Sequence, residues 1–578
     1  MCGIFAVLSF SSFALGSDVI NKFRENAKIM DSRGDTDKQL IINNKVYLFH
    51  RRLAIMDTSS DGDQPFLKNG VFCIVNGEIY NHKDLKDNMK NIKFKGHSDC
   101  EVIIPLYLKY GSQFITHLRG MFSFVLYDSR KKLLLAGRDH LGMTSLYMGK
   151  DNDNIYFASD MKALTGLCSN ISNIDAGSLL IKNIDKEEEI FSYTKLDSWR
   201  VETDISKLVK FDESVLTEIR NKLIESVKSH LDSDVPVGVL LSGGLDSSLV
   251  AAIVSKLVKD GHIKNNEKAI KTFTIGVPDI GLDESKYATI GVENSSDILA
   301  ADTVATFLKS NHSAYNFEAT DAITVLEEVI YAIETYDITT IRASIPLYLL
   351  TSWIKEDTDI KVILSGEVSD EIFAGYSYFK HAPSAEELFL ETKDKVNMLQ
   401  RYDCLRAHKA TIANTIEIRI PFGDKIVVDY VMNLNPECKM YGFGLDGEIG
   451  EKKIEKYILR KAFDGWLPDE ILWRKKEQFS DGVSSDKENV INVLKQHAEN
   501  EISDKEFAER NNIYPINTPS TKEGLLYYKI FNKLFKHDSC LKTVDHNTKS
   551  VACSTERGLK WLNIDENNKM NDPSGHSV

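Results

Sequence analysis

Short apolar runs separated by turn signals fill the first two hundred residues, at 2–10, 45–49, 70–75, 122–127, 133–137 and 155–158. Their lengths are those of strands, and with the short helical stretches between them they predict an α+β layered domain. From about Ser206 the pattern changes. Long amphipathic helices now alternate with short apolar strands at 237–241, 270–275 and 361–364. Strands apolar on both faces and joined by helices predict an α/β domain with a parallel sheet. The charged stretch 182–203 reads as the join, giving domains at 2–190 and 206–535 with a linker at 191–205. Beyond Phe535 the chain turns polar and irregular, so 536–578 reads as a loosely ordered tail.

Composition narrows the function classes. A chain of 578 residues has room for two to four domains. Its 42% hydrophobic and 27% charged residues are ordinary for a soluble globular protein. A formal net charge of −14 argues against a nucleic-acid surface and against an anionic membrane as partner. It leaves room for small anions, because a local group of Arg, Lys and backbone amides outvotes the global sign. The eight cysteines show no C-x-x-C and no paired framework, which points to a reducing compartment, the cytoplasm, and to no structural zinc. No apolar run reaches the roughly 18 residues of a membrane span. The uncharged stretch 2–17 lacks the positive charge that a secretory leader carries ahead of its apolar core, so it reads as a strand.

The most informative stretch is 236–248, Pro-Val-Gly-Val-Leu-Leu-Ser-Gly-Gly-Leu-Asp-Ser-Ser. A buried strand ending near Leu240 runs into a glycine turn and then a helix expected at 248–260. Gly243 and Gly244 let backbone N–H groups converge. Ser242, Ser247 and Ser248 add hydroxyls where a helix N-terminus is positive, which makes an anion cradle. The spacing is not that of the G-x-x-x-x-G-K-[ST] loop. Asp246 inside the cradle would repel phosphates unless a divalent cation bridges the two. The run resembles the pyrophosphatase-type loop of ATP-dependent adenylating enzymes.

At the other end of the chain, removal of Met1 would make Cys2 the N-terminal residue. Its α-amine, with a pKa near ~8, would then take the thiol proton, so that nucleophile and base share one residue. Three strings follow in order: His50 to Asp57, Asn76-Gly77-Glu78-Ile79-Tyr80-Asn81, and Gly96-His97-Ser98-Asp99-Cys100-Glu101. Together they resemble the glutaminase domain of N-terminal-nucleophile (class II) amidotransferases, over roughly residues 2–190. The resemblance implies an αββα sandwich that binds glutamine. Arg52 would fork onto the substrate carboxylate, and Glu78 and Asp99 would pair with its ammonium. The Asn76 amide and the Gly77 N–H would hold the oxyanion that forms when Cys2 attacks. Backbone groups of Ile55 and Met56 would line the site.

A second acidic loop, Ser365-Gly366-Glu367-Val368-Ser369-Asp370-Glu371, follows the predicted strand at 361–364. In open parallel sheets ligands bind at the carboxyl ends of strands, so Asp246 and Asp370 are placed to hold Mg²⁺ over a pyrophosphate. Thr339, Thr340 and Arg342 belong to a segment suited to a small anionic substrate. Lys476, in the string 473–483, is a candidate to neutralise charge developing on an α-phosphate. With Tyr402-Asp403-Cys404, 517–523, 550–553 and 572–575, these strings resemble the glutamine-dependent asparagine synthetases over almost the entire chain. The resemblance implies that glutamine, aspartate and ATP are the substrates and that Ile275, Ser365 and Gly366 flank the adenosine. It gives Glu367 the proton of the incoming ammonia, or the placing of ammonium, and it implies pairing as a homodimer.

Some positions depart from the family pattern. Val368 and Ala374 stand where glycine is usual, and Val368 resists a positive φ. Arg33-Gly34-Asp35-Thr36-Asp37 and Arg138 to Thr144 each lack a usual proline, and Gly423 replaces a leucine. Two other readings remain: a relative that amidates or adenylates a different small carboxylate, and a binding protein that keeps the fold without turnover.

Overall fold

The structure, a computed structural model, describes residues 1–11, 15–183, 188–262, 269–278, 295–443, 454–476, 484, 489–545 and 555–561. The strings 477–483, 550–553 and 572–575 lie outside the described residues.

Two six-stranded sheets build the first domain. One runs β10 (Asn170–Asn173), β8 (Tyr147–Lys150), β9 (Asn154–Ala158), β1 (Gly3–Ser9), β3 (Val46–Arg52), β2 (Thr36–Ile42). The other runs β12 (Glu189–Ser192), β11 (Ser178–Asn183), β7 (Leu133–Arg138), β6 (Gly120–Asp128), β5 (Val71–Ile79), β4 (Phe66–Lys68). Every pairing in both is antiparallel.

The two-residue side-chain period explains the layering. Ile4, Ala6 and Leu8 of β1 meet Ile74 of β5 and Val125 and Tyr127 of β6 between the sheets. The alternate residues Phe5 and Val7 turn outward onto Phe23 and Ala27 of the helix Ser17–Lys28. On the other side, Cys73 and Val75 of β5 pack under Ile103 and Leu106 of the helix Ile103–Tyr110. The result is helix, sheet, sheet, helix. Strands buried on both faces are apolar throughout, which is why β1 shows no alternation in sequence.

The second domain is organised by a parallel sheet in the order β15 (Asn311–Asn316), β14 (Lys271–Gly276), β13 (Val237–Leu240), β16 (Val362–Leu364), β17 (Glu417–Arg419). The chain lays β14 and β15 on one side of β13, then returns to lay β16 and β17 on the other. The strand order reverses at β13, and ligands of such sheets bind outside the carboxyl ends at that reversal. The helix after β13 spans Leu245–Lys259, three residues earlier than expected, so that Asp246 and Ser247 stand in its first turn.

Two segments differ from expectation. Within the expected join, Glu189–Ser192 adds an edge strand to β11, and Trp199 is fully buried with its indole N–H on Asp429 at 3.0 Å. In the expected tail, Cys540 and Leu541 are buried in the main core, and Trp561 packs on Tyr378. Apolar side chains spaced singly in polar surroundings gave no periodic signal there.

Buried charges hold the domains together. Arg33 forks onto Asp160 at 2.7 and 2.6 Å and lies 3.2 Å from His408 of the second domain. Lys409 pairs with Asp160 at 3.3 Å and with Glu334. Glu334 in turn accepts the backbone N–H groups of Met161 and Lys162 at 2.8 and 2.9 Å. Farther out, Arg119 pairs with Asp424 at 2.9 Å.

Candidate active sites

The first site forms where the start of β1 meets the ends of β3 and β5. Cys2 stands one residue before β1, its thiol 3.7 Å from the Leu53 carbonyl oxygen. Met1 is buried, and its ammonium lies 3.1 Å from Glu417. Burial pushes the Cys2 thiol up to about 11, against the pull of that ammonium. Asn76 is fully buried, and neither its amide nitrogen nor its oxygen has a partner among the described residues. A buried amide left unpaired costs stability, so a ligand that pairs with it is favoured. Gly77 has φ +134°, and a Cβ there would stand 2.0 Å from the Met121 carbonyl oxygen. Only glycine fits.

Arg52 is anchored by the turn that follows it. It pairs with Asp63 at 2.7 Å and donates to the carbonyls of Ser59, at 2.7 Å, and Asp57. Ile55 is buried and its carbonyl accepts the Asp234 N–H at 3.1 Å, while Met56 beside it is partly buried. Asp99 accepts the Ile79 N–H at 2.5 Å, and Glu78 lies 3.2 Å from Arg419 of the second domain. Burial raises both carboxyls. Glu78 is pushed further by Asp99 and Glu417, and Arg419 opposes the rise. Two buried carboxyls that share a single guanidinium, Arg419, make a corner that favours a further cation.

The second site is an open cavity at the carboxyl ends of β13 and β16. Leu240, Ser242, Gly244, Asp246 and Ser247 line it from the first loop, Ser365, Gly366, Glu367 and Asp370 from the second. Ile275, Thr339, Thr340 and Lys476 complete the wall among the residues expected from sequence. Ser242 and Ser247 hydroxyls are 3.0 Å apart, and the Gly244 N–H donates to Ser242 Oγ at 3.3 Å. At Gly366 a Cβ would come within 2.7 Å of the Ser247 nitrogen, so the two loops touch.

Three expected residues stand off the wall. Gly243, with φ +73°, backs onto Ala300, where a Cβ would meet another at 2.4 Å. Ser248 is fully buried one turn into the helix. Arg342 makes a buried two-point pair with Glu523 at 2.8 and 2.5 Å. Its charge ties two helices together instead of reaching the cavity, which corrects the expectation that it binds a small anion directly.

Charge in this cavity is arranged around Lys456, a residue that sequence reasoning did not single out. Its ammonium sits 2.7 Å from Asp246 and 2.6 Å from Asp370. Lys476 reaches Asp370 at 3.2 Å, and Ser369 donates to Asp246 at 2.7 Å. Burial would raise the Asp370 carboxyl and lower the Lys476 ammonium, but Lys456 and Lys476 pull the first down and Asp370 and Asp246 hold the second up. Asp370 stays below the usual carboxylate range and Lys476 above the usual amine range. Arg406, also unforeseen, bridges Glu367 at 2.6 Å and Asp403 at 3.0 Å. Burial lifts Glu367 upward in spite of that arginine. Burial, with Asp403 and Asp370 nearby, pushes Glu371 up to about 8, and the Tyr376 hydroxyl donates to it. Arg406 could have been suspected from its place three residues after Asp403 on one helix face. Lys456 carries no such signal.

Val368 adopts φ +77° and Ala374 φ +54°, one at each end of the short helix Ser369–Phe373. The backbone there needs the left-handed conformation whichever residue is present, at a cost of about 1–2 kcal/mol for a residue with a side chain.

An antiparallel sandwich with a cysteine just ahead of its first strand, joined to a parallel-sheet domain with a serine- and glycine-lined cavity at its strand-order reversal, is the architecture of a two-site amidotransferase. The comparisons agree. Residues 1–195 match the glutamine amidotransferase domain family, and 218–395 and 391–561 match asparagine synthase. The asparagine synthetase B [glutamine-hydrolyzing] of Escherichia coli (strain K12) is 41% identical over 589 residues, which span 100% of this chain and 99% of the relative. The asparagine synthetase [glutamine-hydrolyzing] of Zea mays is 40% identical over 586 residues, 100% of this chain and 93% of the relative. The chain belongs to the family of glutamine-hydrolysing asparagine synthetases.

A Gly77→Ala variant is expected to lose about 10²-fold in glutamine-driven turnover, the scale of one displaced oxyanion donor. Its turnover with free ammonium should be unchanged, and comparing the two nitrogen sources checks this.

Proposed function

We propose that the protein makes asparagine from aspartate, ATP and the side-chain nitrogen of glutamine. Once Met1 is removed, the free amine of Cys2 takes the thiol proton and the thiolate attacks the glutamine carboxamide carbon. Asn76 and the Gly77 N–H stabilise the oxyanion. The C–N bond breaks, ammonia leaves, and water releases glutamate from the thioester. Arg52 binds the substrate carboxylate, Ile55 and Met56 border the site, and Glu78 and Asp99 hold the substrate ammonium.

In the second domain the β-carboxylate of aspartate attacks the α-phosphorus of ATP in the cradle of Ser242, Gly244 and Ser247, with Gly243 and Ser248 shaping the turn from behind. Leu240, Ile275, Ser365 and Gly366 flank the nucleotide, and Thr339 and Thr340 border the aspartate, with Arg342 steadying that helix from behind. Pyrophosphate leaves as Lys476 and Lys456 offset its charge. Ammonia then attacks the acyl carbon of β-aspartyl-AMP, AMP departs, and Glu367 takes the surplus proton. Asp246 and Asp370 already converge on one cation, the Lys456 ammonium. Their hard oxygen donors also suit Mg²⁺, which when bound would draw charge from the phosphates. The setting in this reading is the cytoplasm and the state a homodimer.

The supporting observation is the convergence of two acidic loops and two lysines on one cavity at the strand-order reversal. The test is pyrophosphate release from Mg·ATP with ammonium as nitrogen source. Release that requires aspartate and matches asparagine mole for mole is the expected result. Release driven by another carboxylate, or none at all, overturns it.

A further inference from the structure

Arg419 belongs to β17, an edge strand of the parallel sheet, yet its guanidinium ends in the other domain's site. The residue is fully buried. Nη1 donates to the carbonyls of His230 and Asp232 at 2.8 and 2.7 Å, and Nε donates to Glu417 at 2.7 Å. Nη2 lies 3.2 Å from the Glu78 carboxylate and has no aligned hydrogen-bond acceptor among the described residues. Glu417 meets the N-terminal ammonium at 3.1 Å. With Met1 in place charges alternate across the domain border as ammonium, Glu417, Arg419, Glu78, and the last three remain once Met1 is removed. The next place, toward Asp99, calls for a cation. The backbone carbonyl of Arg419 accepts the N–H of Ser365, the first residue of the second acidic loop, at 3.0 Å.

We infer that Arg419 is a positioning residue for glutamine: from the synthetase domain it holds the Glu78 carboxylate ready for the substrate's α-ammonium, so the glutaminase site is complete only when the domains are docked. This deepens the proposed function and rests on the role of Glu78 in it. Glu78 is faced by Asp99, Glu417, Arg419, the N-terminal ammonium, Cys2, Cys100 and Tyr80. Burial and the two other carboxylates push its proton affinity up; Arg419 and, more weakly, the Met1 ammonium pull it back, and Arg419 is the one that stays when Met1 is removed. Without the guanidinium, Glu78 holds its proton to higher pH and meets the substrate as a neutral acid. The same residue braces Ser365 through its main chain, so a shift of the nucleotide loop has a direct mechanical route to the glutamine site.

The experiment compares Arg419→Met, Arg419→Lys, Glu78→Gln and the Glu78→Gln/Arg419→Met double variant in the full-length protein. Expected is a rise of about tenfold or more in KM for glutamine with Arg419→Met, kcat within about threefold, and an acid limb of kcat/KM displaced to higher pH. Arg419→Lys should recover part of the loss, synthesis from ammonium should stay within about twofold, and Arg419→Met should add nothing in the Glu78→Gln background. If Glu78→Gln leaves KM unchanged, the role given to Glu78 fails. If Glu78→Gln raises KM and Arg419→Met does not, the inference about Arg419 alone fails. Equal loss of glutamine- and ammonium-driven synthesis in both Arg419 variants would show a purely structural residue and overturn it as well.

Discussion

With Cys2 replaced by alanine, glutamine-driven synthesis falls by about 10⁴-fold or more, the scale of losing a covalent nucleophile, while ammonium-driven synthesis persists. No other thiol among the described residues can stand in. Cys100 is the cysteine whose electrostatics register Cys2, but burial and the Asp99 carboxylate raise its thiol well above the ordinary value. It also points at the Gly77 carbonyl, 3.4 Å away. The adenylation cavity takes no wall residue from β1, so the substitution leaves it intact. Steady-state rates with each nitrogen source check the result, and loss of both activities would contradict it.

The mirror-image result is expected for Asp370→Asn. Synthesis from either nitrogen source, and aspartate-dependent pyrophosphate release with it, should fall by about 10³-fold, the scale of losing a charge that organises a phosphate site. Glutamine hydrolysis should continue. Asp370 is the carboxylate shared by Lys456 and Lys476, and the amide removes that shared charge while keeping its shape. The folded-state shift of Asp370 is downward, so its contribution to stability is present above the ordinary carboxylate range and is lost only as pH falls below it. The acid limb of synthetase activity near neutrality must then come from carboxyls shifted upward. Glu371, at about 8, Glu367 and Asp337 are the three in the cavity among the described residues. A pH–rate profile of ammonium-driven synthesis that moved with Asp370→Glu would speak against this division.

Much of this architecture could be read from the chain, and the unread parts share a cause. The central strands β1, β5, β6, β13 and β16 are apolar runs and were foreseen to within a few residues. The edge strands β15, Asn-His-Ser-Ala-Tyr-Asn, and β17, Glu-Ile-Arg, carry polar side chains and so gave no such run. β17 is polar because it faces the other domain: Glu417 and Arg419 satisfy charges that no local pattern reveals. Lys456 was missed for the same reason, since Asp246 lies 210 residues away in sequence, whereas Arg406 has a local partner in Asp403 and only its reach to Glu367, 39 residues away, was hidden. Residues fixed by the backbone, such as Gly77 and Gly243, were legible because a glycine at a strand end announces a steric demand. Arg342 misled because a threonine-rich stretch next to an arginine looks like a ligand site, and only the fold reveals Glu523.

The knot of Arg33, Asp160, His408, Lys409 and Glu334 makes the polypeptide hard to dissect. A genetic cut in the stretch after β12 would bare the backbone N–H groups of Met161 and Lys162 on one fragment and strip Lys409 of Asp160 on the other. Severing a buried ion pair costs about 3–5 kcal/mol, a sizeable share of the stability of an ordinary domain. Each fragment would therefore start from a weaker fold than the intact chain has.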